Sequence, residues 1–202
     1  MRRALAAAAV LSVLVAGCGG SNSDSGRPEL IVSAASSLRD AFTQYGDAFK
    51  PAKVRLSFGG SDELAAQIRA GGKVDVFAAA NAKLPDELHN EGEVEQPITF
   101  TANRLVLAVP ANSTHVKSLD DIARPGVKLA IGGKDVPVGD YTRQVLATLP
   151  PIERDRILTN VKTEEPDVAG IVGKLTQGAV DAGFVYATDV VGAKGRLSAV
   201  RL

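Results

Sequence analysis

Hydrophobic and polar residues alternate along the chain in two patterns, one typical of strands and the other of helices. The segments ELIVSA (29–34) and KVRLSF (53–58) predict short strands, the second by its period of two. Between them the apolar residues have the spacing of one helix face: Leu38, Ala41, Phe42, Tyr45 and Phe49. The pattern therefore predicts a strand, an amphipathic helix and a second strand.

The same alternation continues through the rest of the chain. Further strands are predicted at VDVFAA (74–79), RLVLAVP (104–110), KLAIGG (128–133) and DAGFVYA (181–187). Helices are predicted at GGSDELAAQIRAGG (59–72), NAKLPDELHNEG (81–92), VPVGDYTRQVLATLP (136–150) and DVAGIVGKLTQG (167–178). This order predicts an α/β fold with parallel sheets, and TFTANR (99–104) indicates a crossing between two lobes, 29–103 and 104–202.

The first residues have the composition of an export signal. Arg2 and Arg3 precede an apolar run from Ala4 to Ala16, which is short for a membrane span. The run ends in VAGC, which resembles a bacterial lipobox, and this resemblance implies cleavage before Cys18 and diacylation of its thiol. An ordinary signal peptide with a free cysteine is the alternative.

Two segments are therefore predicted ahead of the folded domain. Residues 1–17 would be a lipoprotein signal peptide, and residues 18–28, rich in Gly and Ser, a flexible tether between the lipid and the domain. We expect an exported lipoprotein of the cell membrane that faces the periplasm or the cell exterior.

The composition excludes several classes of function. The chain has 202 residues, 45% of them hydrophobic, which is enough for a core, and 23 basic residues balance 23 acidic ones. Because the charges balance and Lys and Arg form no runs, the sequence indicates no basic surface that would bind a nucleic acid. One cysteine and two histidines exclude an internal disulfide and a Cys/His zinc cluster.

Small hydroxyl residues mark the first two junctions between a predicted strand and a helix. Ser37 follows the first strand at the place of an N-cap, with Asp40 three residues later as in a capping box. Ser61 begins the next helix behind two glycines, which allow a ligand to approach the backbone. An N-cap without any ligand role explains each serine alone equally well.

Later junctions add donors of a second kind. The helix after Pro137 would present the backbone N–H groups of Val138 and Gly139, and Asp167 would cap a helix whose first turn contains Val168. Tyr186 ends the last predicted strand, which brings its hydroxyl to the same edge of the sheet, although a core tyrosine is the ordinary explanation.

These donors have in common that they are neutral. Free N–H groups at helix starts, helped by the helix dipole, and hydroxyl groups together suit a small dehydrated oxyanion. A fixed set of neutral dipoles replaces the hydration shell of such an anion and selects it by size and by the absence of protons.

Five segments, in their order and spacing, resemble the periplasmic molybdate-binding proteins of ABC importers. They are AASSL, SFGGSDELAAQIRAGGKVDVFAAAN, RLVLAVP, LAIGGKDVPVGDYTRQVL and EEPDVAGIVGKLTQGAVDAGFVYATDV. The resemblance implies a type II periplasmic-binding-protein fold, in which two α/β lobes close on molybdate or tungstate. It also implies a monomeric binding protein without enzymatic activity or cofactor, which delivers its ligand to a permease and an ATPase.

The resemblance assigns the ligand to donors already selected above. Carried over by matching motif, they are the hydroxyl and N–H groups of Ser37 and Ser61, the N–H groups of Val138 and Val168, and the hydroxyl of Tyr186. Molybdenum would be held only as the oxyanion, and no residue is assigned to a metal cation.

The sequence departs from the family at three places. Asp62 and Glu63 follow Ser61 directly and would repel a dianion, so we expect both to point to solvent. Val138 is often a smaller residue in the family, which a backbone contact tolerates. The chain stops at Leu202, about where a C-terminal part of the first lobe would follow, so we expect that part to be missing and the sequence to be a fragment.

Other functions remain open at this point. Sulfate suits the same neutral donors, whereas phosphate would call for an arginine or a proton-accepting carboxylate. A hydrolase with Ser37 or Ser61 as nucleophile lacks the G-x-S-x-G turn, and we expect His89 and His115 at the surface. A ligand-sensing domain of a transcription regulator disagrees with the export signal.

Overall fold

The computed structural model describes residues 26–200 and residue 202. The predicted signal peptide and the lipidation of Cys18 lie outside the described residues, as does most of the tether. Within the described part, no helix combines the length and the apolar character that a membrane crossing requires.

A three-stranded parallel sheet forms the first region, residues 26–100. Its strands are β1 (Glu29–Ala35), β2 (Lys53–Gly59) and β3 (Val76–Ala78), in the order β2-β1-β3. Its helices are a 3₁₀ turn (Ser36–Leu38), α1 (Arg39–Ala48), α2 (Ser61–Arg69) and α3 (Lys83–Asn90). Parallel pairing puts the carboxyl ends of all three strands at one edge of the sheet.

The first region has a small core. Ala65 and Ile68 of α2 pack on Leu84 and Leu88 of α3, while a separate small cluster centres on Val32 of β1. Helix α1 has no buried residue, and Tyr45 on its predicted apolar stripe is 65% exposed. The stripe exists as predicted, but the described residues cover it only in part.

A five-stranded mixed sheet forms the second region, residues 104–200. Its strands are β4 (Leu105–Pro110), β5 (Leu129–Gly132), β6 (Val161–Glu165), β7 (Ala182–Tyr186) and β8 (Leu197–Val200), in the order β6-β5-β7-β4-β8. Its helices are a 3₁₀ turn (Asp120–Ala123), α4 (Pro137–Ala147), α5 (Pro151–Thr159), α6 (Val168–Thr176) and α7 (Ala187–Gly192). Strand β5 is parallel to β6 and β7, whereas β4 is antiparallel to β7 and β8.

Several of these elements differ from the prediction. Strands β6 and β8 were not predicted, because VKTEE in β6 alternates charged with half-buried residues and has no apolar run. The helix predicted over 136–150 ends at Ala147, and Pro151 starts the unpredicted α5 at its first position, where proline is tolerated. The antiparallel β4 also corrects the expectation of purely parallel sheets.

Both faces of the second sheet are covered. All five residues of β7 are buried; Ala182 and Phe184 belong to one hydrophobic cluster, and Val185 and Tyr186 to another. Phe184 faces the cluster that includes Leu146 of α4 and Ile157 of α5, whereas Val185 faces Ile171 of α6. This double packing fixes the ends of the strands, from which the site is built.

Candidate functional site

A cavity lies between the two regions, where six strand-to-helix junctions meet. Its empty space is about 210 Å³, including the part open to solvent. The lining residues are Ala35, Ser36, Ser37, Gly59, Gly60, Ser61, Ala80, Val136, Pro137, Val138, Asp167, Val168 and Tyr186. The structure thus brings all five predicted site residues to one cavity, while their binding of a ligand stays a prediction.

Ser61 is held in place by the neighbouring strand. It is the first residue of α2, as predicted, and is 2% exposed. Its Oγ accepts a hydrogen bond of 3.0 Å from the N–H of Ala80, which follows β3. Because the oxygen is the acceptor in this bond, the hydroxyl proton is available for a second bond into the cavity.

Ser37 lies on the cavity wall for a different reason than predicted. It is the middle residue of the 3₁₀ turn, and the N-cap residue of α1 is Leu38. No side-chain cap bond forms at either helix start, so the predicted capping box of Ser37 with Asp40 is wrong. Three residues of 3₁₀ turn lie between β1 and α1. Because of this turn, Ser37 lines the cavity and is not the N-cap of α1.

Two helix starts of the second region face the serines. Helix α4 begins at Pro137, and its first backbone bond runs from the Asp140 N–H to the Val136 carbonyl at 2.9 Å. The N–H of Val138 therefore precedes the intrahelical bonding pattern. Val138 and Val168 are both buried, at 2% and 3% exposure.

Close packing and a cap position these two helices. Gly139 lies directly on the carbonyl groups of Gly132 and Gly133, so closely that a Cβ at Gly139 would overlap both. At α6, Asp167 is the N-cap as predicted, and its carboxylate accepts the Gly170 N–H at 2.9 Å. Packing thus fixes the start of α4 to the end of β5, and the cap bond closes the first turn of α6.

Tyr186 ends β7 as predicted and is 4% exposed. Its buried hydroxyl has no hydrogen-bond partner among the described residues. Burial raises the pKa of this hydroxyl above its ordinary value, and the neighbouring Tyr141 adds to the effect. The group therefore stays protonated, and it is a neutral donor whose missing partner costs about 1 to 3 kcal/mol.

Asp167 is the one carboxylate among the residues that line the cavity, and none of these residues is Lys, Arg or His. Burial, with smaller contributions from Asp167 and Asp40, raises the pKa of Asp189 to about 7. The Tyr186 N–H opposes this shift, because it donates to the Asp189 carboxylate at 2.9 Å. The negative surroundings make the neutral character of the donors more important.

Asp62 differs from the expectation that it points to solvent. One of its carboxylate oxygens is buried without a hydrogen-bond partner in the described part of the chain. Burial raises the pKa of Asp62, and the charges of Asp135 and Asp167 add to this rise. Glu63 is exposed, as expected.

Ser36 and Ala80 are lining residues that the sequence pattern did not indicate. Ser36 is 9% exposed beside Ser37, and Ala80 follows β3. The rule that ligands bind beyond the carboxyl ends of strands points to the Ala80 loop as well, but alanine has no side-chain donor that would mark it in the sequence.

The geometry gives no support to a hydrolase. His89 and His115 are exposed, as predicted, and neither lines the cavity. A serine nucleophile in the cavity therefore lacks an adjacent histidine base. In residues 26–200 and 202 there is also no group of three or more His, Cys, Asp or Glu side chains arranged to hold a metal cation.

Comparisons with known proteins agree with this geometry. Residues 30–202 match the family described as bacterial extracellular solute-binding protein. The molybdate-binding protein ModA of Mycobacterium tuberculosis is 34% identical over 209 residues, which cover 95% of this chain and 77% of that protein. The putative ABC transporter substrate-binding lipoprotein YvgL of Bacillus subtilis is 29% identical over 201 residues, 93% of this chain and 75% of that protein.

Among solved structures, the periplasmic molybdate-binding protein of Azotobacter vinelandii superposes with a TM-score of 0.74. The sequences are 25% identical, and the match covers 86% of this chain and 78% of that one. The similarity confirms the periplasmic-binding-protein fold, and the relatives confirm the resemblance predicted from the five sequence segments.

Proposed function

The chain belongs to the bacterial extracellular solute-binding protein family, and on this premise we propose that it captures molybdate, or tungstate, for an ABC importer. Two relatives support the ligand, since both are named molybdate-binding proteins. The importer is supported by the name of the B. subtilis relative, an ABC transporter substrate-binding lipoprotein.

The ligand is held by hydrogen bonds without a full positive charge. The first region supplies the hydroxyl and N–H groups of Ser37 and Ser61, and the second supplies the N–H groups of Val138 and Val168. Each bond to a charged oxyanion contributes about 1.5 to 3 kcal/mol. Helix starts add favourable dipoles at the anion, so binding needs no arginine or lysine.

The single observation that carries this proposal is the unpartnered hydroxyl of Tyr186. A buried donor in a cavity of helix starts is satisfied when an oxyanion enters, and its raised pKa keeps the proton on the phenol oxygen. Tyr186 then completes a set of donors that a tetrahedral oxyanion accepts from two sides.

Binding would proceed by closure of the two regions around the anion. We assign lobe 1 to residues 29–103 and lobe 2 to residues 104–202, so that each lobe holds part of the donor set. An anion that bonds to both lobes favours the closed arrangement over the open one. The protein acts as a receptor in this scheme, and no catalytic step is required.

Isothermal titration of residues 19–202 with molybdate, tungstate and sulfate tests the ligand. We expect binding of molybdate and tungstate, and Tyr186→Phe to weaken both by about tenfold or more, since one charge-assisted bond is lost. Tyr141→Phe is the matched control, because Tyr141 does not line the cavity. Preferential binding of sulfate would contradict the proposed ligand, and silence with all three anions would contradict the function.

We also propose that the protein is a lipoprotein anchored through Cys18, with residues 18–28 as its tether and residues 1–17 removed. The lipoprotein name of the B. subtilis relative supports this proposal. Metabolic labelling with a radioactive fatty acid should mark the protein and should fail for Cys18→Ala. An unlabelled wild-type protein in the soluble fraction would contradict the anchor.

A further inference from the structure

Gly60 brings the backbones of the two regions into close contact beside the cavity. We propose that this glycine sets how closely the Ser61 junction approaches the Val168 junction, and that it thereby determines the affinity and size selectivity of the site. The inference rests on the proposed function, because it concerns the same oxyanion.

The local backbone does not explain a glycine at this place. Gly60 is the N-cap of α2 with φ −62° and ψ 136°, a conformation that every residue adopts. Serine, threonine or aspartate there would have supplied a cap bond. The reason for glycine must therefore be space rather than conformation.

A side chain at Gly60 would meet the opposite region directly. A Cβ built there lies 2.7 Å from the backbone carbonyl oxygen of Pro166 and 2.9 Å from a carboxylate oxygen of Asp62. Both distances are shorter than a carbon atom tolerates. The Asp62 oxygen is the end of a rotatable side chain and can move away, whereas the Pro166 oxygen belongs to the backbone.

The Pro166 backbone is held from both sides. The preceding Glu165 carbonyl accepts the Gly133 N–H at 3.0 Å, and the following Asp167 caps α6. A methyl group at Gly60 would therefore push the two junctions apart instead of displacing Pro166 alone.

This separation acts on the donors. Ser61 follows Gly60 directly, and Val168 follows Pro166 by two residues. The contact between Gly60 and Pro166 therefore lies beside two opposing members of the donor set. An anion held from both sides loses hydrogen bonds when the sides separate. The loss is greatest for a small anion, which cannot span the wider gap, so sulfate would suffer more than molybdate.

The test compares Gly60→Ala with Gly173→Ala. Gly173 lies in α6 outside the cavity lining, and a Cβ there would point into open space. By titration calorimetry of residues 19–202 with molybdate, we expect Gly60→Ala to bind at least about tenfold more weakly, the equivalent of one lost bond to the anion. Gly173→Ala should stay within about threefold of wild type.

A second variant identifies the obstructing atom. If the new methyl group acts through Pro166, Gly60→Ala combined with Asp62→Ala stays at least about tenfold weaker than Asp62→Ala alone. Recovery of affinity in the double variant would overturn the proposal, because Asp62 would then be the obstacle.

Thermal unfolding without ligand separates positioning from folding. We expect the melting temperature of Gly60→Ala to change by less than about 4 °C, the scale of 1 kcal/mol in a protein of this size. A larger fall would show a structural role and overturn the proposal. Wild-type affinity in Gly60→Ala would overturn this inference alone, whereas silence of the unsubstituted protein with molybdate, tungstate and sulfate would overturn the proposed function with it.

Discussion

In both regions the candidate site is built from helix starts at the ends of strands, but the hydrophobic cores behind these strands differ in size. In the second region, two hydrophobic clusters cover both faces of a five-stranded sheet. In the first region, three strands carry two small clusters, and helix α1 buries none of its residues. Within the described residues, the strand ends on the two sides of the cavity therefore rest on cores of different size.

The candidate donors on the two sides also differ in how they are held. In the second region, Gly139 packs α4 directly on the end of β5, and the Asp167 cap closes the first turn of α6. In the first region, the Ser61 hydroxyl is oriented by a single bond from the Ala80 N–H. A side-chain hydroxyl can rotate to meet an anion, whereas a backbone N–H keeps the direction that its helix gives it.

The largest expected effect contrasts the two cores, with one substitution in each region. Phe184→Ala removes a completely buried ring from the second region and should lower the free energy of unfolding by about 3 to 5 kcal/mol. Phe42→Ala, in the half-exposed stripe of α1, should cost only about 1 to 2 kcal/mol. Urea unfolding followed by circular dichroism measures both. Equal losses would show that the first region is packed as well as the second.

A smaller effect is expected from the donors of the first region. Ser37→Ala should weaken molybdate binding about ten- to a hundredfold, because one charge-assisted hydrogen bond is lost, without changing the unfolding midpoint. Ser57→Ala, an exposed serine on β2, is the matched control and should bind as wild type. Titration calorimetry makes the comparison. An unchanged affinity of Ser37→Ala would remove Ser37 from the site.

The smallest effect concerns the pH dependence of the second region. The pKa of Asp189 is about 7 in the folded protein and near its ordinary value of 3.8 when unfolded. Between these values the folded state binds more protons, so stability falls as the pH rises from about 4 to 7 and levels off above. We expect the contribution of this group to be about 1 to 2 kcal/mol, reduced from the full linkage value by its partial contact with solvent.

Asp189→Asn tests this contribution, because the amide oxygen can still accept the Tyr186 N–H. Urea unfolding at pH 5 and pH 8 should give a smaller difference in stability for the variant than for wild type. Asp181→Asn is the control, since Asp181 likewise accepts a backbone N–H, that of Lys128, but lies away from the cavity. A full wild-type pH difference in Asp189→Asn would assign the dependence to other groups.

The spacing of apolar residues was sufficient to predict most of the fold. It located β1, β3, β4, β5 and β7 from their apolar runs and β2 from its period of two. It also located α2, α3, α4 and α6, which have clear start signals. It missed β6, whose half-exposed edge position permits the charged residues of VKTEE. It also missed that β4 runs antiparallel, because the direction of a strand depends on the connections around it and not on its own residues.

The local sequence pattern, together with the family resemblance, was enough to name the candidate donors. Glycines, serines and helix caps at strand ends are local features, so Ser37, Ser61, Val138, Val168 and Tyr186 could be named in advance as residues on one cavity wall. How these groups are presented depends on the tertiary structure. Burial and contacts between segments distant in the chain left the Tyr186 hydroxyl without a partner, turned an Asp62 oxygen inward and placed Gly60 against Pro166, because such contacts depend on how the two regions pack.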